Sequence, residues 1–333
     1  MDPVFLILVL TLLVLGLTML WSASSAQSQF DSNYTTSTRY LQKQAVCAAL
    51  GLGCMAAFSR ISVSVWHRFA WHIYILAIVL LLAVLAVGQS VNGAKRWVSI
   101  AGIQFQPSEI AKFAVILVFA RLSREYGPRA AEFRYGVLGF GAALMGILLP
   151  LALEKHLSAI LLIGMVAVVM MFLSGTRMKY LMLGALLALV FVGVYITFMG
   201  YAGDRVTAWL DPQSDPSDTG YQILQSLYAI GSGGLFGLGF GRGKQKYLYL
   251  PFQYNDYIFA IVCEELGLLG AAGIMALFAA LILRGYHIAL NARDRFSGML
   301  AAGLTTLLAV QTVLNLCVVT NLQIGRASCR ERV

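Results

Sequence analysis

Charge is scarce in this chain. Only 12% of its 333 residues are Asp, Glu, Lys or Arg, about half the share of an ordinary soluble domain. A conventional water-soluble fold is excluded on that ground. The five cysteines have no framework spacing: Cys47, Cys54, Cys263 and Cys317 lie in apolar helical context, where a cysteine is usually a small hydrophobe. No CxxC or His/Cys cluster suggests zinc. His67, His72 and His287 share no metal-ligand spacing. The GxxxxGK[ST] order of a phosphate-binding loop is missing, and no clear internal repeat appears.

What the chain has is apolar length. It is 59% hydrophobic, with a mean hydropathy of +0.77. Apolar windows of about 20 residues, enough to cross ~30 Å of hydrocarbon, recur throughout. A β-barrel would show short alternating segments instead. The composition therefore predicts an all-α, polytopic helical membrane protein. Its net charge of +9 comes from basic residues scattered at helix ends, a topology signal. No nucleic-acid partner is expected.

Nine spans are predicted, at about Phe5–Trp21, Ala45–Phe58, Phe69–Val87, Ile110–Leu122, Tyr135–Leu151, Leu157–Leu173, Tyr180–Met199, Tyr257–Leu283 and Ser297–Thr320. The flank SASSAQS after the first resembles a signal-peptidase site. Asp2, the lack of Lys or Arg before the span, and its length favour a retained helix. With the N-terminus inside, the cytoplasmic loops hold eleven Lys and Arg, against five in the opposite short loops. That bias places the N-terminus in the cytoplasm and the one long loop outside. The tail QIGRASCRERV carries three arginines and no apolar continuation; it reads as unrelated residues, 323–333, after truncation near Leu322.

The stretch from Gly200 to Gly267 is the long interruption, and loops this long are usually functional or disordered. Trp209, Tyr221, Leu224, Tyr228, Phe236 and Tyr249 give it apolar material to fold with. Asp211-Pro212 and Asp215-Pro216 initiate turns, and Asp218 or Thr219 is placed to cap a helix entering YQILQSLYAI. The run IGSGGLFGLGFGRGKQK admits two readings. Its glycines allow backbone amides to approach an anion that Arg242, Lys244 and Lys246 neutralise, or they form a flexible hinge. Asp256 falls in the first turn or cap of the eighth span, where the helix dipole alone favours a carboxylate; the functional alternative is a base at the membrane surface. Glu264 lies eight residues on, ~12 Å along a helix, too far for the ~6.5–9.5 Å of an inverting carboxylate pair. Glu264 or Glu265 is expected to pair with a cation inside the bundle.

The second outer loop and the next helix read NGAKRWVSIAGIQFQPSEIAKFAVILVFA. Pro107, Ser108 and Glu109 suit a helix start. Glu109 and Lys112, three apart, share a face and can pair, as a structural ion pair or as lining of a polar cavity. Lys95 and Arg96 beside Trp97 form either an interfacial anchor or a cationic pair for a phosphate. Glu154, Lys155 and His156 read as an ordinary polar loop.

Three long stretches then carry a resemblance: NGAKRWVSIAGIQFQPSEIAK, TGYQILQSLYAIGSGGLFGLGFGRGKQKYLYLPFQYNDYIFAIVCEELG and QTVLNLCVVTNL. They closely resemble the SEDS family of shape, elongation, division and sporulation proteins, which includes RodA and FtsW. EKHLSAILL resembles the FtsW and sporulation branch. The resemblance spans residues 1–322 as a single membrane domain, with a large extracytoplasmic loop at about 200–256. It implies a ten-helix fold, of which about nine helices are present, that polymerises peptidoglycan from lipid II beside a class B penicillin-binding protein. Two departures stand out. LPFQYNDYIFA replaces the usual LPxxxTDFIFA, and the TGIPLPFFSYGG-like loop leading to a tenth helix is missing.

The resemblance implies that Asp256, in NDYIFA, is the essential acid and general base. It maps the family's polar cavity onto Arg96, Glu109 and Lys112. Lys95, Arg205, Arg242, Lys244 and Lys246 join them as candidates to meet substrate and its pyrophosphate, with a divalent cation (Mg or Mn) as a candidate helper and no organic cofactor. Membrane lipids would flank the tails. Two other classes compete: a lipid II flippase, which favours central charges and internal repeats, and a scaffold that only recruits a penicillin-binding protein.

Overall fold

The computed structural model describes residues 2–31, 36–91, 94–100, 103–154, 156–184, 186, 220–247, 249–251 and 253–322. On the strands, side chains are described at Trp97, Val98 and Phe105. Helices dominate: α1 (Pro3–Asp31), α2 (Arg39–Phe58), α3 (Val63–Val87), α4 (Pro107–Tyr126), α5 (Phe140–Leu153), α6 (Leu157–Leu173), α7 (Tyr221–Gly233), α8 (Ile258–Leu290) and α9 (Arg295–Val319). Between α3 and α4 lies a small antiparallel sheet, β1 (Gln89–Val91), β2 (Ala94–Ile100) and β3 (Ile103–Phe105), with β2 in the middle. The sequence reading treated this segment as a loop. Asn92-Gly93 is a two-residue hairpin turn signal, but the strands beside it are too short for alternation to stand out.

Among the described residues, six segments are long and apolar enough to cross a membrane: α1, α2, α3, Arg134–Leu153, α8 and α9. The chain is a multi-pass membrane protein. Two further expected spans exist as helices but fall short of that measure. α6 has 17 residues. α4 carries Glu109, Lys112, Arg121, Arg124 and Glu125 and buries its apolar residues in protein, Val115 to Ala120 being essentially inaccessible. The expected span at Tyr180–Met199 lies largely outside the described residues, as do Arg205 and residues 323–333.

The chain packs as two units, residues 1–60 with 196–284 and 312–333, and residues 61–195 with 285–311. In the second, α4 starts with Pro107 at its first turn and Glu109 near its positive end, and stops at Gly127, whose φ is +54°. His156 caps α6: its Nδ1 accepts from the Ala159 amide at 3.2 Å. Its Nε2 lies 2.6 Å from the Gln106 side-chain amide, tying the start of α4 to the start of α6. The first unit is centred on Ala23 of α1, Ala229 of α7, Leu250, Tyr257, Ala260 and Ile261, and Val319 of α9. Three alanines at that meeting point let helices approach closely, the usual device where lipid offers no hydrophobic drive.

Candidate active site

Asp256 sits in the turn before α8 and is partly exposed. Several residues around it are fastened. Tyr257 and Leu250 are fully buried in the core of the first unit. Gln253, 1% exposed, donates its amide to the Lys246 carbonyl at 3.2 Å. Gln222 of α7 donates to the Pro251 carbonyl at 3.1 Å. Tyr254 packs on Tyr40 of α2 with ring centroids 4.3 Å apart. Among the described residues the Asp256 carboxylate itself takes part in no hydrogen bond or ion pair.

The glycine-rich run is held against α8. It packs against a break in α8 at Gly267, where φ is +68° and ψ −172°. The Leu238 and Gly239 amides donate to the Glu264 and Glu265 carbonyls at 3.0 and 3.1 Å, and the Leu268 and Leu269 amides return bonds to Gly234 and Leu235 at 2.9 and 3.2 Å. Such contact requires glycine: a Cβ on Gly233 would lie 2.0 Å from the Cys263 carbonyl oxygen, and one on Gly237 2.2 Å from that of Glu265. Backbone amides do cradle an anion here, but the anion is the chain's own. Glu264 Oε1 accepts from the Lys244 amide at 2.7 Å and the Gln245 amide at 3.3 Å.

The next acid takes the cation, as the sequence led one to expect of Glu264 or Glu265. Lys246 Nζ meets Glu265 Oε1 at 2.8 Å, with both side chains essentially inaccessible (3% and 0% exposed). Ser22 of α1 completes the group: its hydroxyl lies 2.8 and 2.7 Å from the two Glu265 oxygens and 3.1 Å from Lys246 Nζ. Lys246, a candidate to meet the substrate, thus has its ammonium buried and paired inside the protein. Removing one member of such a buried pair typically costs about 3–5 kcal/mol. Ser22 and Gln253 escaped the sequence reading. The only hint of Ser22 was a hydroxyl-rich segment, WSASSAQS, in an otherwise apolar helix.

Arg242 and Lys244 remain exposed in the same unit. Lys244 lines an open groove of about 500 Å³ with Gln245, Tyr247 and Tyr249. In the second unit the expected i,i+3 pair forms: Lys112 Nζ stands 2.6 Å from Glu109 Oε2, with Lys112 8% and Glu109 58% exposed. The lysine stem lies among Val115, Leu162, Ile163, Val166 and Leu307. The buried cation thus depends on one carboxylate that reaches solvent. Lys95 and Arg96 are on β2, Lys95 opposite Ser90; their side chains lie outside the described residues, as does all of Arg205. Among the described residues no three His, Cys, Asp or Glu side chains cluster.

The family model of the FtsW, RodA and SpoVE cell cycle proteins matches residues 3–323. The chain belongs to this family. A probable peptidoglycan glycosyltransferase FtsW from Geobacter sulfurreducens is 38% identical over 325 residues, covering 96% of this chain and 86% of the relative. The stage V sporulation protein E of Bacillus subtilis is 35% identical, covering 96% and 88%. The peptidoglycan glycosyltransferase MrdB of Escherichia coli is also 35% identical, covering 97% and 85%. Among solved structures, a chain described under "Structural coordination of polymerization and crosslinking by a peptidoglycan synthase complex" superposes with a TM-score of 0.77 at 28% identity, covering 96% and 87%. The rod shape determining protein RodA of Thermus thermophilus shares the fold, with a TM-score of 0.67 at 24% identity over 95% of this chain and 84% of that one. The long motifs around Lys112 and Asp256 thus belong to an FtsW/RodA-type membrane fold.

Proposed function

We propose that this FtsW/RodA-type chain is a peptidoglycan glycosyltransferase that polymerises lipid II at the outer face of the cytoplasmic membrane. The observation that carries the reading is Asp256, an unpaired carboxylate on a fixed turn at the end of a membrane helix. In the reaction the 4-hydroxyl of one disaccharide attacks the anomeric carbon of another. The new glycosidic C–O bond forms as the bond from that carbon to the pyrophosphate oxygen breaks. The hydroxyl proton passes to Asp256, and undecaprenyl pyrophosphate leaves with the bonding electron pair. A positioned base of this kind contributes about 10²–10⁴-fold.

The leaving pyrophosphate needs positive charge. Arg242 and Lys244 are two of the exposed cations on the unit that carries Asp256; Arg96 and Lys112 are assigned on the family resemblance, with Glu109 holding Lys112, and Lys95 and Arg205 remain further candidates. The charge bias of the short loops supports an N-terminus in the cytoplasm and a long loop outside, where the lipid II sugars would be displayed. A class B penicillin-binding protein is the expected partner, in keeping with the synthase complex among the structural relatives. The test is glycan formation from labelled lipid II by the chain with that partner. Polymer that disappears in a folded Asp256→Ala variant supports the reading. Lipid II crossing liposomes with no polymer formed supports a flippase instead.

A further inference from the structure

Four polar residues the reaction does not use connect Asp256 to the interior of its unit. Lys246 is 3% exposed and Glu265 1%, and their pair is closed by the Ser22 hydroxyl from α1. The Lys246 carbonyl accepts the side-chain amide of Gln253, itself 1% exposed, and Gln253 stands three residues before Asp256. The neighbouring Glu264 grips the Lys244 and Gln245 amides. Two consecutive acids of α8 therefore clamp residues 244–246, and residue 246 in turn holds the segment that presents the carboxylate. A buried charge pair bridged by a buried hydroxyl is a costly way to build mere stability. It is an effective way to fix geometry, because both groups must stay where they are.

We infer that Ser22, Lys246, Glu265 and Gln253 form a positioning device for Asp256, so that Lys246 acts through the base and not on the departing pyrophosphate. The inference rests on the reading of Asp256 as the base. Displacements of about 1 Å at a reacting group can cost 10²-fold, so loosening the clamp shows up in turnover. Substrate affinity depends on other groups and stays near its original value.

The experiment combines amide hydrogen exchange with lipid II kinetics on the full chain, the latter with its penicillin-binding partner. Variants are Glu265→Gln, Lys246→Met, Lys246→Arg, Gln253→Met and the double Lys246→Met/Glu265→Met. The double variant keeps apolar volume in place of the pair and protects against a single variant that fails to fold. Exchange over residues 247–257 should rise in every variant except Lys246→Arg. The turnover number should fall about 10–100-fold with the KM for lipid II within about twofold. Lys246→Arg should recover most of the rate. Gln253→Met, which leaves the ion pair untouched, should reproduce the loss, and the double variant should be no slower than the slower single one. A large rise in KM at unchanged turnover would make Lys246 a substrate contact and overturn the inference, as would unchanged exchange. Asp256→Asn is run alongside. If it polymerises at the parent rate, the base reading and the kinetic half fall together, and exchange alone then decides whether the clamp exists.

Discussion

Replacing Gly267 by alanine tests how the glycine-rich run and α8 support one another. The backbone at Gly267 has φ +68° and ψ −172°, a region open essentially to glycine alone, and forcing another residue there costs about 1–3 kcal/mol. A Cβ would stand 2.3 Å from the Gly237 nitrogen, 2.6 Å from the Leu235 oxygen and 2.7 Å from the Leu235 carbonyl carbon. All three are backbone atoms, so no side chain can swing away. Relief means parting the run from α8 and losing the Leu238, Gly239, Leu268 and Leu269 amide bonds, each worth about 0.5–1.5 kcal/mol. The expected loss is on the order of 3–6 kcal/mol, a large share of a stability of about 5–15 kcal/mol. Gly273→Ala, also in α8 but with nothing within 4 Å of the added Cβ, is the control. It should be neutral or stabilise by up to about 1 kcal/mol. Thermal unfolding of the purified proteins in detergent reads both. A midpoint for Gly267→Ala within about a degree of the parent would refute the packing argument.

Two further outcomes follow from individual pairs. Lys112→Met keeps the stem among Val115, Leu162 and Val166 and frees a carboxylate that water can solvate; the melting midpoint should move little, while polymer formation drops about tenfold or more if the ammonium meets substrate. Equal polymer would make the pair structural. At the N-terminus, the Arg284 guanidinium and the Phe5 amide beside Asp2 hold its carboxyl well below the usual range, at about 2. Because the folded value lies below the unfolded 3.8, the contribution is complete above about pH 4 and disappears as pH falls toward 2. It is small, since the pair is solvated. Asp2→Asn should flatten the dependence of the melting midpoint on pH in that window and leave the slope above it alone. An unchanged slope below pH 4 would contradict the assignment.

Much of the architecture was legible because membrane helices announce themselves by apolar length. Leu157–Leu173 coincides with α6, and Pro107-Ser108-Glu109 marked the start of α4. The Glu109–Lys112 pair followed from helical spacing, and a cation for Glu264 or Glu265 from the expense of an unpaired acid at that depth. Three features were not legible, for physical reasons. The sheet at 89–105 consists of strands of three to seven residues, too short for alternation to stand out. The glycines of IGSGGLFGLGFGRG look alike as sequence whether they free a hinge, cradle a ligand or let one backbone touch another; only the partner decides, and the partner lies some thirty residues on at Glu264–Leu269. Lys246 looked like its exposed neighbour Lys244 because burial is settled by α1, more than two hundred residues away.

The most direct test of the account is glycan synthesis from labelled lipid II by the chain and its penicillin-binding partner, comparing the parent with Asp256→Ala. The carboxylate has no partner among the described residues, so the variant should fold and melt like the parent. The account predicts long polymer from the parent and a loss of about 10²-fold or more in the variant. Equal polymer from the two proteins would contradict it.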